Sequence, residues 1–327
     1  MKIVSLVVLF ILLFSACSSK KYFEPKDTHG SIDAQEIVTP AYISNINAIG
    51  GTLDNNMIVD KVGISKDKLP LGFSFLNNIN GLILAANKSK ELLILDKNET
   101  LKFKSNVIAA SLQDDLIALV FSNNSIGIYD NKNKVFKLKK YYKHSFLNDT
   151  RIAMPLFLNK IILFPTLDGK IIIVDKSTNK ITKTLTVDPQ SDVKNIILLK
   201  TINNAMIAAS PNQIITLNNG DIKTKEFFIQ SYTLDDEFIY IASLDGTIYK
   251  FDLSLNIINQ KKFKFAKFQA LAIGQYLYAV ESQGFIIRLS KDFKDSKVYK
   301  FAFEEDEKMF AHKNKLYIEN KLLILKW

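Results

Sequence analysis

The 327-residue chain contains one cysteine, Cys17, and one tryptophan, Trp327. A lone thiol excludes any intramolecular disulfide. No CxxC, HExxH or phosphate-loop pattern occurs, and no set of carboxylates has calcium spacing. Histidine is scarce too. His29 falls in a polar N-terminal stretch, His144 in an expected loop after Tyr141, and His312 near a strand end. Surface or turn histidines are the ordinary reading of all three. Only Arg151 and Arg288 are arginines among 43 basic residues, although the net charge is +10. The lysines are dispersed, with no basic helix interleaved with aromatics. That charge reads as a solvated surface rather than a nucleic-acid footprint, and nucleic acid is not an expected partner. The N-terminal apolar run, Ile3 to Phe14, falls short of the roughly 20 residues that a spanning helix needs.

That run sits in a recognisable context. Met1-Lys2 precedes it and the small residues Ser15-Ala16 follow, the charged, apolar, small-residue order of an export signal. Phe14-Ser15-Ala16-Cys17 resembles the bacterial lipobox, with Phe14 where that motif prefers Leu. The resemblance implies cleavage before Cys17 and lipid attached to its sulfur and to the new amino terminus. An ordinary export signal with a coincidental cysteine is the alternative. Multiple acyl chains would hold the protein stably where one would not. The expected organisation is a signal peptide over 1–16, a lipidated Cys17 with a flexible polar tether over 17–35, and one domain over 36–327. Ser18 follows the lipidation position. By the sorting rule of well-studied envelopes this points to the periplasmic face of the outer membrane, with the inner membrane as the alternative.

The domain is built on an internal repeat. Residues 160–175 (KIILFPTLDGKIIIVD) and 237–252 (EFIYIASLDGTIYKFD) share one form: apolar strand, tight polar turn, second apolar strand. Residues 275–290 follow closely, and weaker copies run over 81–96, 115–130, 204–218 and 313–326. A degenerate copy ends at Asp60. The period is roughly 38 residues, that of propeller blades. Asp-Gly at 168–169 and 245–246 supplies the backbone freedom of a hairpin, and so the turn explains both aspartates better than chemistry does. The flanking Ile, Val, Leu, Tyr and Phe suit sheet covered on both faces. More alternating strands follow at 180–187 and 256–263, and short strands precede at 196–200 and 268–273. The fold class is therefore all-β: a propeller of four-stranded blades, eight in number, or seven if the copy ending at Asp60 is not a blade. The last copy lacks an outer strand, and the segment 34–41 is expected to supply it, closing the ring.

The repeats at 161–175 and 239–252 resemble the PQQ-like propeller repeat. With a lipoprotein signal and a tether, the whole is similar to the BamB family. That resemblance implies a non-enzymatic, eight-bladed scaffold, monomeric within a larger complex, that docks on the POTRA domains of BamA in the outer-membrane β-barrel assembly machinery. Two alternatives stay open: a ligand-binding or degenerate quinoprotein-type propeller, and a scaffold for another envelope complex. A quinoprotein would need repeat-wise tryptophans, which are missing. No cofactor, metal ligand or catalytic residue is expected. Gly50-Gly51 reads as a strand bend, Asp114-Asp115 and Asp235-Asp236 as solvated loop residues, and Glu304 to Glu307 as an acidic loop.

The anchoring expectation is tested by Cys17→Ala. The variant should fold as wild type but leave the membrane fraction after a salt wash; retention there would refute lipid anchoring.

Overall fold

The computed structural model describes residues 21–145, 149–303 and 307–326. Its sheets number eight, each an antiparallel meander of four strands. In chain order blades 1 to 7 cover residues 43–68, 73–102, 107–141, 156–186, 198–226, 229–262 and 268–300. Blade 8 combines Met309–His312, Lys315–Ile318 and Lys321–Leu325 with Ala34–Val38. Eight blades are thus present, and the copy ending at Asp60 is one of them.

Each repeat has become the middle hairpin of a blade. In blade 6, Ile239–Ser243 pairs with Thr247–Phe251 across the turn containing Gly246, whose φ is +82°. A Cβ at Gly246 would lie 2.4 Å from the Phe263 carbonyl oxygen, so the site needs both the positive angle and the missing side chain. The fourth strands, such as Ile257–Lys262, are largely exposed, as outer strands should be. Innermost strands match the expected positions within a few residues; the one expected at 196–200 spans Leu198–Ile202. Copy 81–96 differs at its end, where Leu95–Lys97 forms a short 3-10 turn and Asp96 accepts a 2.8 Å bond from the Ile83 amide. Gly50 and Gly51 open the strand Gly50–Leu53. A Cβ at Gly50 would meet the Val59 oxygen at 2.5 Å and the Phe75 ring at 2.6 Å, so glycine here lets blades 1 and 2 approach.

The hydrophobic core is not one cluster but eight, one at each junction between adjacent blades. Ile117, Leu119 and Phe121 of blade 3 face blade 2, whereas the intervening Ala118 and Val120 face blade 4. This two-sided burial is why the inner strands read as continuous apolar runs. Each fully buried aliphatic or aromatic side chain contributes about 1.5–3 kcal/mol of transfer free energy.

Ring closure follows the expected route. Ala34–Val38 pairs antiparallel with Lys321–Leu325, from Ala34 opposite Leu325 to Val38 opposite Lys321. The Thr39 amide adds a 2.7 Å bond to the Asn320 oxygen. The preceding stretch departs from the flexible tether expected over 17–35. Phe23 is buried between blades 6 and 7, edge-on to Phe263 and Phe285 at 6.2 and 5.8 Å. The His29 amide donates to the Val298 oxygen at 2.8 Å, bridging to the outer strand of blade 7. Residues 21–33 therefore form a docked leg, because Phe23 of the Tyr22-Phe23 pair finds a slot between two blades. Residues 17–20, including Cys17, lie outside the described residues.

Leu323 is 1% exposed in the cluster joining blades 7 and 8. Leu323→Ala should destabilise the protein by about 2–5 kcal/mol in denaturant unfolding. A loss below about 1 kcal/mol would show that the closing blade contributes little.

Candidate functional site

In a ring of four-stranded meanders, the turns between second and third strands share one end with the connections between blades. Call this the loop face. Seven of the large apolar side chains that are exposed fall there: Val38, Tyr42, Leu71, Tyr141, Phe228, Leu244 and Phe265. Leu71 is 90% exposed and Phe228 65%, so these residues reach into solvent instead of folding back onto the core. Other exposed apolar residues, among them Ile222, Ile257 and Ile258, lie on outer strands at the perimeter. The pattern has a local cause. Connections such as 69–72 and 227–228 are short and their backbones are fixed by bonds to neighbouring turns. The Ile229 amide bonds the Pro211 oxygen at 2.7 Å, and the Leu244 amide bonds the Phe228 oxygen at 2.9 Å. Apolar side chains on such turns have no interior to enter. Spread round a rigid face, they offer adhesive contacts to another surface.

The same face is partly roofed. The connection between blades 3 and 4 carries Arg151, whose guanidinium grips the Asp149 carboxylate at 2.5 to 3.1 Å. It also donates to the Gln230 and Ile229 oxygens of blade 6, at 2.7 and 3.2 Å. Asn195, on the connection from blade 4 to blade 5, donates to the oxygens of Asp149 and Arg151. Two long connections are thus latched to a blade beyond both of them. In the chain Arg151 bears no distinguishing mark beyond being one of two arginines.

Asp245 does what the hairpin reading requires, accepting from the Thr247 amide at 3.0 Å. Asp168 instead reaches across to blade 3, accepting from Asn124 at 3.0 Å. Asp188 is 2% exposed and accepts from Ser210 at 2.7 Å and from the Ser191 amide at 3.0 Å. Burial raises its pKa, but the bonds from Ser210 and Ser191 outweigh burial and hold it below the ordinary carboxylate value. The histidines are not brought together. His29 lies on the docked leg, and His144 on the exposed connection between blades 3 and 4. His312 ends the innermost strand of blade 8 at the opposite end of the ring. Among the described residues no three His, Asp or Glu side chains are grouped to hold a metal. Asp114 takes a positive φ of 54° in the tight turn of blade 3, and Asp235 accepts from the Phe238 amide at 2.7 Å. Residues 304–306 of the acidic run lie outside the described residues. No described helix is long and apolar enough to cross a membrane.

No known protein-family profile matches the chain. It is 25% identical over 386 aligned positions to the plasminogen-binding protein PgbB of Helicobacter pylori strain J99, covering 97% of this chain and 70% of that protein. The counterpart from strain 26695 is 24% identical over a similar span. Among solved structures, BamB from Moraxella catarrhalis superposes with a TM-score of 0.66 at 15% identity, over 90% of this chain and 98% of that one. The C-terminal WD40 domain of Sif2 gives 0.64 at 13% identity, over 91% and 100%. The fold is thus a BamB-like eight-bladed propeller, one that proteins of other kinds share.

Removing the Arg151 latch would leave Asp149 half-buried without its cation. Arg151→Ala should cost about 1–3 kcal/mol in denaturant unfolding. It should also speed amide exchange over 149–155 with little change in blade 1. Uniform acceleration around the ring would refute a local latch.

Proposed function

We propose that this chain is a lipid-anchored interaction scaffold of the bacterial cell envelope. Its first 16 residues direct export, Cys17 carries the lipid, and the propeller stands at the periplasmic face of the outer membrane. Its role is binding, not catalysis. The partner we favour is the β-barrel assembly machinery, through the POTRA domains of BamA. The observation that carries the scaffold reading is the set of exposed apolar side chains on one rigid loop face, including Leu71, Phe228 and Leu244. Held out on rigid turns round one face, they are apolar anchors that a protein partner could bury. The BamB-like fold supports the choice of machinery.

A second reading has its own support. The similarity to a plasminogen-binding protein extends over 97% of this chain, so plasminogen binding is an alternative function. That would place the loop face, or another, in contact with an external protein.

One set of measurements separates the two. The protein, captured from detergent-solubilised envelopes, should bring down BamA, and Leu71→Glu with Phe228→Glu should reduce recovery at least tenfold. Recovery of an unrelated complex, or recovery indifferent to both substitutions, would refute the assembly reading. Saturable binding to purified plasminogen, with no BamA recovered, would favour the second.

A further inference from the structure

The end of the ring opposite the loop face holds a cavity of about 70 Å³ at the central channel. Four blades line it. Blade 1 contributes Asp60 and the adjoining Lys61, blade 2 Asn77 and Asn78, blade 5 Lys200, and blade 8 His312. Blade 5 stands across the channel from blade 1, so Lys200 reaches toward the opposite wall. A water needs about 10–15 Å³ on this measure, so the space is ample for a small oxyanion.

The charges in and around it are almost all of one sign. Lys313 and Lys315 lie beside His312, in addition to Lys61 and Lys200. The Lys315 ammonium is spent on the carbonyl oxygens of Lys61 and Val62. Asp60 is the acid in the cavity, and its oxygens are occupied. One accepts from the Val62 amide at 2.8 Å and the other from Asn78 at 2.6 Å. The Asn77 amide nitrogen is committed to Ala110 and Ser111 of blade 3. Among the described residues, neither Lys61 nor Lys200 has a hydrogen-bond or ionic partner at its ammonium. Lys200 and Lys61 keep contact with solvent at the channel mouth; desolvation by the surrounding walls, and then the charge of Lys61, lower the pKa of Lys200. Burial, and then Lys200, Lys313, Lys61 and Lys315, hold His312 at about 4. A site whose field keeps an imidazole neutral is short of negative charge.

We propose that this cavity is a binding site for a small phosphate-class oxyanion, held between Lys61 and Lys200 with His312 beside it. Lysine ammonium groups bind phosphate as point charges with rotatable donors, and the two arrive from opposite walls of the channel. A bound anion would also relieve the mutual repulsion of the lysines, so binding and stability are coupled. The site lies away from the loop face and is independent of any partner docked there.

The test is thermal unfolding of the full chain in detergent, with inorganic phosphate compared against chloride at matched ionic strength. Phosphate at about ten times its dissociation constant should raise the midpoint by roughly 2–4 °C. Lys200→Met should raise the midpoint in chloride, because a like charge has gone, and abolish the response to phosphate. Lys61→Gln should weaken phosphate binding at least tenfold and serves if the first variant does not fold. Lys183→Gln, on the outer strand of blade 4, should respond as wild type. Equal midpoints in phosphate and chloride, or a full phosphate response in both cavity variants, would overturn the proposal.

Discussion

Everything in this molecule depends on one constraint: a four-stranded sheet with two apolar faces cannot stand alone. Each blade is stable only because its neighbours cover it, and the first and last blades need each other. The strand Ala34–Val38 meets this need by completing blade 8 from the other end of the chain. The eight inter-blade clusters then form a cycle with no exposed end. Cooperativity follows, since loosening one junction exposes two faces at once.

Much of this was legible in the chain. The closing residues of the repeats at 130, 175 and 218 coincide with the ends of strands Ser125–Asp130, Lys170–Asp175 and Gln213–Asn218. Asp-Gly pairs marked real hairpins, and the missing outer strand of the last repeat located its donor. Legibility failed where meaning depends on position around the ring. Lys61, Lys200 and His312 are unremarkable in sequence, each near the end or middle of an ordinary strand. They meet only because blades 1, 5 and 8 face a common channel. Arg151 shows the same limit, since its carbonyl partners are 78 and 79 positions away. Phe23 failed for a different reason. The pair Tyr22-Phe23 in a polar stretch has no period to betray it, and the slot for Phe23 is built by Phe263 and Phe285 at blades 6 and 7.

The ring leaves function to its two ends. Its rigid scaffold is shared with BamB and with a WD40 domain at 15% identity or less, so the fold by itself names no partner. What distinguishes this chain is what it places on that scaffold. One end carries apolar residues on short, hydrogen-bonded turns; the other gathers cations around a small cavity. The two surfaces are separated by the length of the blades, so one can be occupied without obstructing the other.

The docked leg has a mechanical consequence. Were Cys17 lipidated as proposed, only six residues would separate the lipid from Phe23, which is pinned between blades 6 and 7. At about 3.3–3.6 Å per extended residue, six residues reach roughly 20 Å. Phe23 enters at the loop-face ends of those blades, where Phe263 follows the outer strand of blade 6 and Phe285 opens the third strand of blade 7. On that proposal the propeller would not float on a long line but would be held close to the bilayer at one point of its rim. A partner gripping the loop face would then itself have to stand at the membrane surface.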